Sequence, residues 1–297
     1  MHRILMAIMS ALVLMAAPVM SKEVTIRHDR LTLNANLQMA KGKSLADGVL
    51  LMVHGTLAHN RMETIATLQR LLKERGINTL AINLSLGISN RHNMYDCNQP
   101  MRHRHQDAIA EIGSWVDWLK KQGARSIWLM GHSRGGNQVA WYAATRAPAV
   151  VKKIILLAPM THDAQRSARA YKSRFGAPLA PMLAQAGDFV RAGHGMEPME
   201  LPGILYCKNG RATPESFLSY HAPGKRLNTP YWLPKLKVPV LVIAGSEDKV
   251  ALNLVPQVRP LADGTRVRLE IVQDAGHFFR DFAAEDAADL MADYLKP

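Results

Sequence analysis

Three side chains in this chain of 297 residues have types and positions suited to joint chemistry: Ser133, Asp248 and His277. Ser133 lies in Gly131-His132-Ser133-Arg134-Gly135, with an apolar run before it (residues 127–130) and a helix-like segment after it (137–146). That is the strand–turn–helix setting a G-x-S-x-G motif requires. A serine on so sharp a turn presents its hydroxyl clear of the backbone. Small residues two positions either side let strand and helix pass closely. A serine hydroxyl is a weak nucleophile at neutral pH, so it needs a base. His277, in Gln273-Asp-Ala-Gly-His277-Phe-Phe, follows the apolar run 267–272 and can take the hydroxyl proton and later deliver it to a leaving group. Asp248, in Gly245-Ser-Glu-Asp248, follows the run 238–244 and can hold the imidazole tautomer and stabilise the imidazolium. Glu247 next door and Asp163 after an earlier strand are rivals for the acid's place.

These residues must be carried by strands and helices, and the patterning supplies them. Residues 24–26 and 31–37 alternate in polarity and flank His28-Asp29, which predicts a hairpin. Residues 49–53 form a continuous apolar run, the pattern of a buried parallel strand. Residues 61–75 read as a helix with Ile65, Leu68, Leu71 and Leu72 on one stripe and Gly76 as its stop. A strand follows at 78–82. Residues 106–122 form an amphipathic helix with Ile109, Ile112, Val116 and Leu119 on one face, ended by Gly123. The strand at 127–130 leads into the elbow, and 153–157 is another strand. Strand and helix alternate this far, which predicts a parallel sheet. The rhythm then breaks. Residues 159–236 are rich in Met, Pro, Gly and basic residues, hold no strong strand, and read as a helical insertion over the C-terminal edge of the sheet, where ligands bind in open α/β sheets. Strands at 238–244 and 267–272 and a closing helix at 283–295 complete the chain.

The order Ser133, Asp248, His277, each just past a strand's C-terminal end, resembles the α/β-hydrolase family. The resemblance covers roughly the whole mature chain apart from the insertion. It implies an α/β fold with a mostly parallel central sheet flanked by helices and a helical cap. The core would be split into residues 22–158 and 237–297 around a cap at 159–236. It also implies an oxyanion loop at His54-Gly55-Thr56. There the backbone N–H groups of Thr56 and Arg134 would stabilise a developing oxyanion, with Leu57 as the alternative to Thr56. The more glycine-rich H-G-G-G form of that loop is absent. His54 and the elbow neighbour His132 read as structural.

Composition narrows the class. Hydrophobic residues make up 48% of the chain, without low-complexity tracts or repeats, which excludes a disordered protein. The net charge is +13. That favours electrostatic association with anionic surfaces or ligands, but no dense basic run with interleaved aromatics points to specific nucleic-acid binding. Residues 1–21 begin Met1-His-Arg, continue as an apolar run to about Val19, and end in small residues, the pattern of a signal peptide cleaved after Ser21. The run is short for a bilayer span and holds Ser10 and Pro18, and no transmembrane segment is expected in the mature chain. Its loss removes only Arg3. A periplasmic or secreted location follows. Only Cys97 and Cys207 occur, and in an oxidising compartment they could form one disulfide or stay separate thiols. His92, Cys97, His103, His105 and Asp107 fall within a short span, but without zinc-ligand spacing they read as a polar loop capping the helix that begins near Asp107.

The expectation is a cofactor-free, metal-free serine hydrolase of carboxylesterase type, acting on a small-molecule acyl substrate through an acyl-enzyme on Ser133. A peptidase or amidase on the same triad, and a non-catalytic binding protein on the same fold, are the alternatives. Acyl length and leaving group depend on the insertion.

Overall fold

In the computed structural model, residues 21–296 are described. The leader expected over residues 1–21 therefore lies, Ser21 apart, outside the described residues. The chain opens with the hairpin β1 (Lys22–His28) and β2 (Leu31–Gln38), turning at Asp29 as the alternation predicts. It then alternates through β3 (Val49–Val53), α1 (Glu63–Glu74), β4 (Thr79–Ile82), α2 (Asp107–Lys121), β5 (Ile127–His132), α3 (Arg134–Thr145) and β6 (Val151–Leu157). The insertion holds α4 (Ala164–Phe175), α5 (Leu179–Arg191), four two-residue strands and α6 (Pro214–His221). Those strands are β7 (Met199–Glu200), β8 (Gly203–Ile204), β9 (Cys207–Lys208) and β10 (Arg211–Ala212). The chain closes with β11 (Val240–Gly245), the short α7 (Leu254–Val258), β12 (Val267–Val272) and α8 (Phe282–Leu295).

The eight long strands form one sheet in the order β1-β2-β4-β3-β5-β6-β11-β12. The hairpin pairs antiparallel at one edge, and every pair from β4 to β12 is parallel. The sequence of β3 shows why this sheet must be covered on both faces. All five of its residues are buried. Val49, Leu51 and Val53 join the core beneath α2 and α3, while Leu50 and Met52 join the core beneath α1 and α8. A strand apolar on both faces is stable only between two helical layers. The helix stripes read from the sequence meet these two cores: Ile65, Leu68, Leu71 and Leu72 on one side, Ile109, Ile112, Val116 and Leu119 on the other.

Two boundaries differ from the sequence reading for a physical reason. Helix α3 starts at Arg134, not at residue 137, because the chain enters helical geometry immediately after the elbow. The insertion contains the paired strands β7–β10 and β8–β9, each two residues long, which are too short to leave a periodic signal.

The insertion is fastened to the core. Cys97, in the loop before α2, is disulfide-bonded to Cys207 on β9. Nearby, Met101 N–H donates to Arg211 O at 2.8 Å and Thr213 N–H donates to Met101 O at 2.9 Å. The bond closes a loop of 110 residues in sequence. Cross-linking so long a loop removes much of the unfolded chain's freedom. Replacing both cysteines by serine is therefore expected to lower unfolding free energy by about 2–5 kcal/mol in denaturant titrations. A double variant as stable as the parent would show that the polar contacts alone hold the insertion.

Candidate active site

The elbow is assembled from backbone before any side chain acts. Ser133 has φ 56° and ψ −119°, a conformation sparsely populated by non-glycine residues. Its N–H donates to Leu157 O at 3.0 Å, and its carbonyl accepts from Gly136 N–H at 3.0 Å and Met160 N–H at 2.9 Å. Neighbouring strand β6 and helix α3 thus over-determine the strained residue. The spacing of small residues has a direct steric cause. A Cβ on Gly131 would sit 2.3 Å from Gly135 O, and one on Gly135 would sit 2.4 Å from His54 O.

This places the Ser133 hydroxyl 2.9 Å from His277 Nε2. On the other side of the ring, His277 Nδ1 lies 2.8 Å from Asp248 Oδ2. Both the His277 and the Asp248 side chains are buried, at 6% and 5% exposure, so the pair is shielded from water. Asp248 Oδ1 also accepts from Val250 N–H at 2.7 Å and Ala251 N–H at 2.9 Å. Burial alone would raise this carboxyl's pKa. The hydrogen bonds from His277, Ala251 and Val250, with the His277 charge, outweigh it and hold the pKa below the ordinary carboxylate value. The acid loop is itself fixed to the histidine loop: Ser246 N–H donates to Val272 O, and Glu247 N–H to Ala275 O.

The rivals for the acid are elsewhere. Glu247 is exposed. Asp163 is the N-cap of α4, where its side chain accepts from Arg166 N–H at 2.7 Å. Thr56 lines the cleft beside Ser133, and Arg134 is the first residue of α3, where a backbone N–H has no intrahelical acceptor. Leu57, the alternative to Thr56, has φ 57° and a buried side chain, and its carbonyl accepts from Tyr95 N–H. His54 braces the loop, its Nδ1–H donating to Gly55 O and its Nε2 accepting from Leu84 N–H. His132 donates from Nε2 to His277 O at 2.9 Å and packs 5.0 Å from that ring.

The residues of the polar loop disperse into separate contacts. Cys97 is in the disulfide, His92 Nε2 faces Glu23, and Asp107 accepts from Arg104 N–H at the start of α2. His105 and His103 lie buried behind the cleft. His105 Nε2–H donates to Asn137 Oδ1 at 2.9 Å, and His103 Nδ1 accepts from the Tyr220 hydroxyl at 2.8 Å. Glu111 was not readable as a buried residue from its helix face. It lies at 2% exposure against His103 and Ser85. Burial raises its pKa, but these partners more than reverse that. Arg91 was also missed. Its guanidinium donates to Ala58 O, Leu84 O and Asn83 Oδ1, tying the segment after β4 to the loop after β3.

Ser133 and His277 open on a cleft of about 230 Å³ between the strand ends and the insertion. Met160, His162, Tyr171, Arg174, Tyr220 and His221 are among its walls. All six belong to the insertion, whose contacts no local motif announces.

Burial pushes several imidazoles toward the neutral form. His54 falls to about 3, His221 to about 3 and His132 to about 4, from 6.5, mainly because each is shut away from water. The unfolded chain protonates these rings near 6.5, so it binds more protons than the folded chain between that value and about 4. Stability is therefore expected to be level above about pH 7 and to fall as pH drops below about 6.5, by about 1.4 kcal/mol per pH unit for each ring. Denaturant midpoints recorded across this range would check it, and a profile level down to about pH 5 would refute it.

The acid assignment has its own test. Asp248→Asn is expected to leave the fold intact, by circular dichroism, and to lower turnover by about 10⁴-fold, because the amide favours the wrong imidazole tautomer. Asp163→Asn should keep near-normal turnover, since asparagine caps a helix as well as aspartate does. The reverse result would move the acid to the earlier strand.

Comparison with known proteins bears on the fold. The model of the Alpha/beta hydrolase family matches residues 50–293. No curated protein matches the chain significantly. Among solved structures, Est1E from Butyrivibrio proteoclasticus with ferulic acid bound is 19% identical, with a TM-score of 0.66 over 92% of this chain and 97% of that one. A monoacylglycerol lipase from Paleococcus ferrophilus is 18% identical, with a TM-score of 0.61 over 89% and 98%. An esterase from Pyrococcus furiosus is 17% identical, with a TM-score of 0.63 over 93% and 91%. At such identities the likeness is one of fold. With the family model spanning the elbow, both later loops and the strands that follow the N-terminal hairpin, the chain belongs to the alpha/beta hydrolase family.

Proposed function

We propose that this hydrolase cleaves a carboxylic ester or closely related acyl bond through an acyl-enzyme on Ser133. The observation that carries the reading is the chain of contacts Ser133 Oγ–His277 Nε2 and His277 Nδ1–Asp248 Oδ2, which ends at the cleft. His277 takes the hydroxyl proton as Ser133 Oγ bonds to the carbonyl carbon. The carbonyl oxygen becomes an oxyanion held by the N–H groups of Thr56 and Arg134. Collapse of the tetrahedral intermediate breaks the bond to the leaving group, which receives the proton from His277. Water then gives a proton to His277, attacks the acyl carbon and frees the acid, and Ser133 regains its proton.

The preference for esters over amides is supported by the similar folds, an esterase, a lipase and a protein bound to ferulic acid. A cleft of about 230 Å³ is small for a ligand site and suits a compact acyl or alcohol group. Export to the periplasm or medium is supported by the apolar leader and by the Cys97–Cys207 bond, which needs an oxidising compartment to persist.

A fluorophosphonate probe is expected to label the exported protein, and Ser133→Ala to abolish both labelling and hydrolysis of 4-nitrophenyl esters of graded length. Intact mass of the same sample should show a chain starting near Lys22. A folded protein that neither labels nor cleaves any ester would reduce the site to a binding site.

A further inference from the structure

The residue after the nucleophile has a side chain that the proposed reaction does not use. Arg134 runs along the floor of the cleft. Its Nε–H donates to Thr56 Oγ1 at 3.0 Å, and its Nη1 lies 3.4 Å from His105 Nδ1. Its guanidinium carbon stands 5.2 Å from the centre of the Tyr220 ring. His105 is in turn oriented by Asn137, and Tyr220 by its hydrogen bond to His103, which faces Glu111 at 3.4 Å. Two buried polar chains thus hold one cation in place. Such a framework is more than a flexible surface arginine needs.

The cation has no counter-charge. Among the described residues, no carboxylate pairs with Arg134, and its two neutral partners leave Nη2 uncommitted. No Asp or Glu lines the cleft. Arg174 also lines the cleft, and its own contacts are Leu205 O and the Phe175 and Tyr206 rings, again without a carboxylate. His162 also lines the cleft, and its Nε2 is buried without a protein partner. The positive field of Arg134 is felt by the imidazoles around it: after burial, it is the next cause lowering the pKa of His105, His162 and His221. The oxygens of Asp248, next to His277, are taken by that ring and two backbone N–H groups. A half-buried guanidinium without an anionic partner gives up part of its hydration, a loss that an anionic group bound in the cleft would offset.

We propose that the substrate is an anionic ester, whose carboxylate or similarly small anionic group is bound by the Arg134 guanidinium, with Arg174 lining the same cleft. This rests on the serine-hydrolase reading and adds the substrate's charge to it. Arg134 then has two separate functions: its backbone N–H meets the oxyanion, and its side chain selects the anion. The anion can sit on the acyl side or the alcohol side of the ester, and paired substrates distinguish the two.

Mono-4-nitrophenyl adipate against 4-nitrophenyl hexanoate places the charge on the acyl side. 4-Acetoxybenzoate against its methyl ester places it on the leaving group. In at least one pair the anionic member is expected to have a kcat/KM about tenfold or more above its neutral partner, the size of a charge-assisted hydrogen bond. Arg134→Gln should collapse that ratio toward one, Arg134→Lys should keep part of it, and Arg174→Gln should reduce it less than Arg134→Gln. The ratio within a pair cancels any general damage at the elbow. Calorimetry of Ser133→Ala protein with adipate and with 4-hydroxybenzoate reads binding without turnover. One of the two acids should bind, and adding Arg134→Gln should abolish that binding. Faster cleavage of both neutral esters would overturn the proposal. So would an Arg134→Gln variant slowed equally on both members of a pair, which would mean that the guanidinium serves the oxyanion alone, or binding of neither acid. Failure of the serine-hydrolase reading looks different: no fluorophosphonate labelling and no ester cleaved, with acid binding still reporting on Arg134.

Discussion

The site depends on one steric constraint, the closeness with which β5, α3 and the loop after β3 cross at the elbow. Ser133 is held in a left-handed conformation that costs about 1–3 kcal/mol in an ordinary residue. It persists because β6 donates an acceptor at Leu157 O and because Gly131 and Gly135 leave no Cβ in the crossing. If the crossing were wider, the serine could relax to an ordinary turn and its hydroxyl would swing away from His277. The same closeness sets the first residue of α3 against the Gly55–Thr56 loop. A Cβ on Gly55 would stand 3.3 Å from that of Ser133.

The rest of the fold brings distant segments to that point. Parallel strands all end on one edge, so the loops after β5 and β11, whose Ser133 and Asp248 are 115 residues apart in the chain, both come to that edge on either side of β6. The insertion closes the edge from above and is fastened by the Cys97–Cys207 bond and by the Met101 ladder to β10. This arrangement separates two tasks. The sheet and its loops hold the reacting groups, with Asp248 kept ionised by hydrogen bonds. The insertion, with Arg134 beneath it, shapes the cleft and sets its charge. A family fold that carries many chemistries is given its preference by that second layer.

The reach of the sequence reading has a clear boundary. The strands β3, β5, β6, β11 and β12, helices α1, α2 and α8, and the order Ser133, Asp248, His277 could all be read from local pattern. Each is a property of a few adjacent residues: an apolar run, a stripe at helical spacing, a small residue two positions from a serine. Asp248 was separable from Asp163 on position alone, and the structure places Asp163 on a helix cap. The start of α3 and the strands β7–β10 escaped because one turn of helix or two residues of strand carry no period.

What the sequence by itself determined was the α/β architecture, the order in which Ser133, Asp248 and His277 follow their strands, and the segment that interrupts the alternation of strand and helix. Burial energy and backbone sterics act over short spacings and leave their marks in composition. Only the tertiary structure decided that Cys97 meets Cys207, that Glu111 and His103 are buried against each other, that Arg91 braces the loop after β3, and that Arg134 stands in the cleft without a counter-charge. These are pairings between residues far apart in the chain. Whether a charge is compensated depends on every side chain that the fold brings near it, and no window of sequence contains them all.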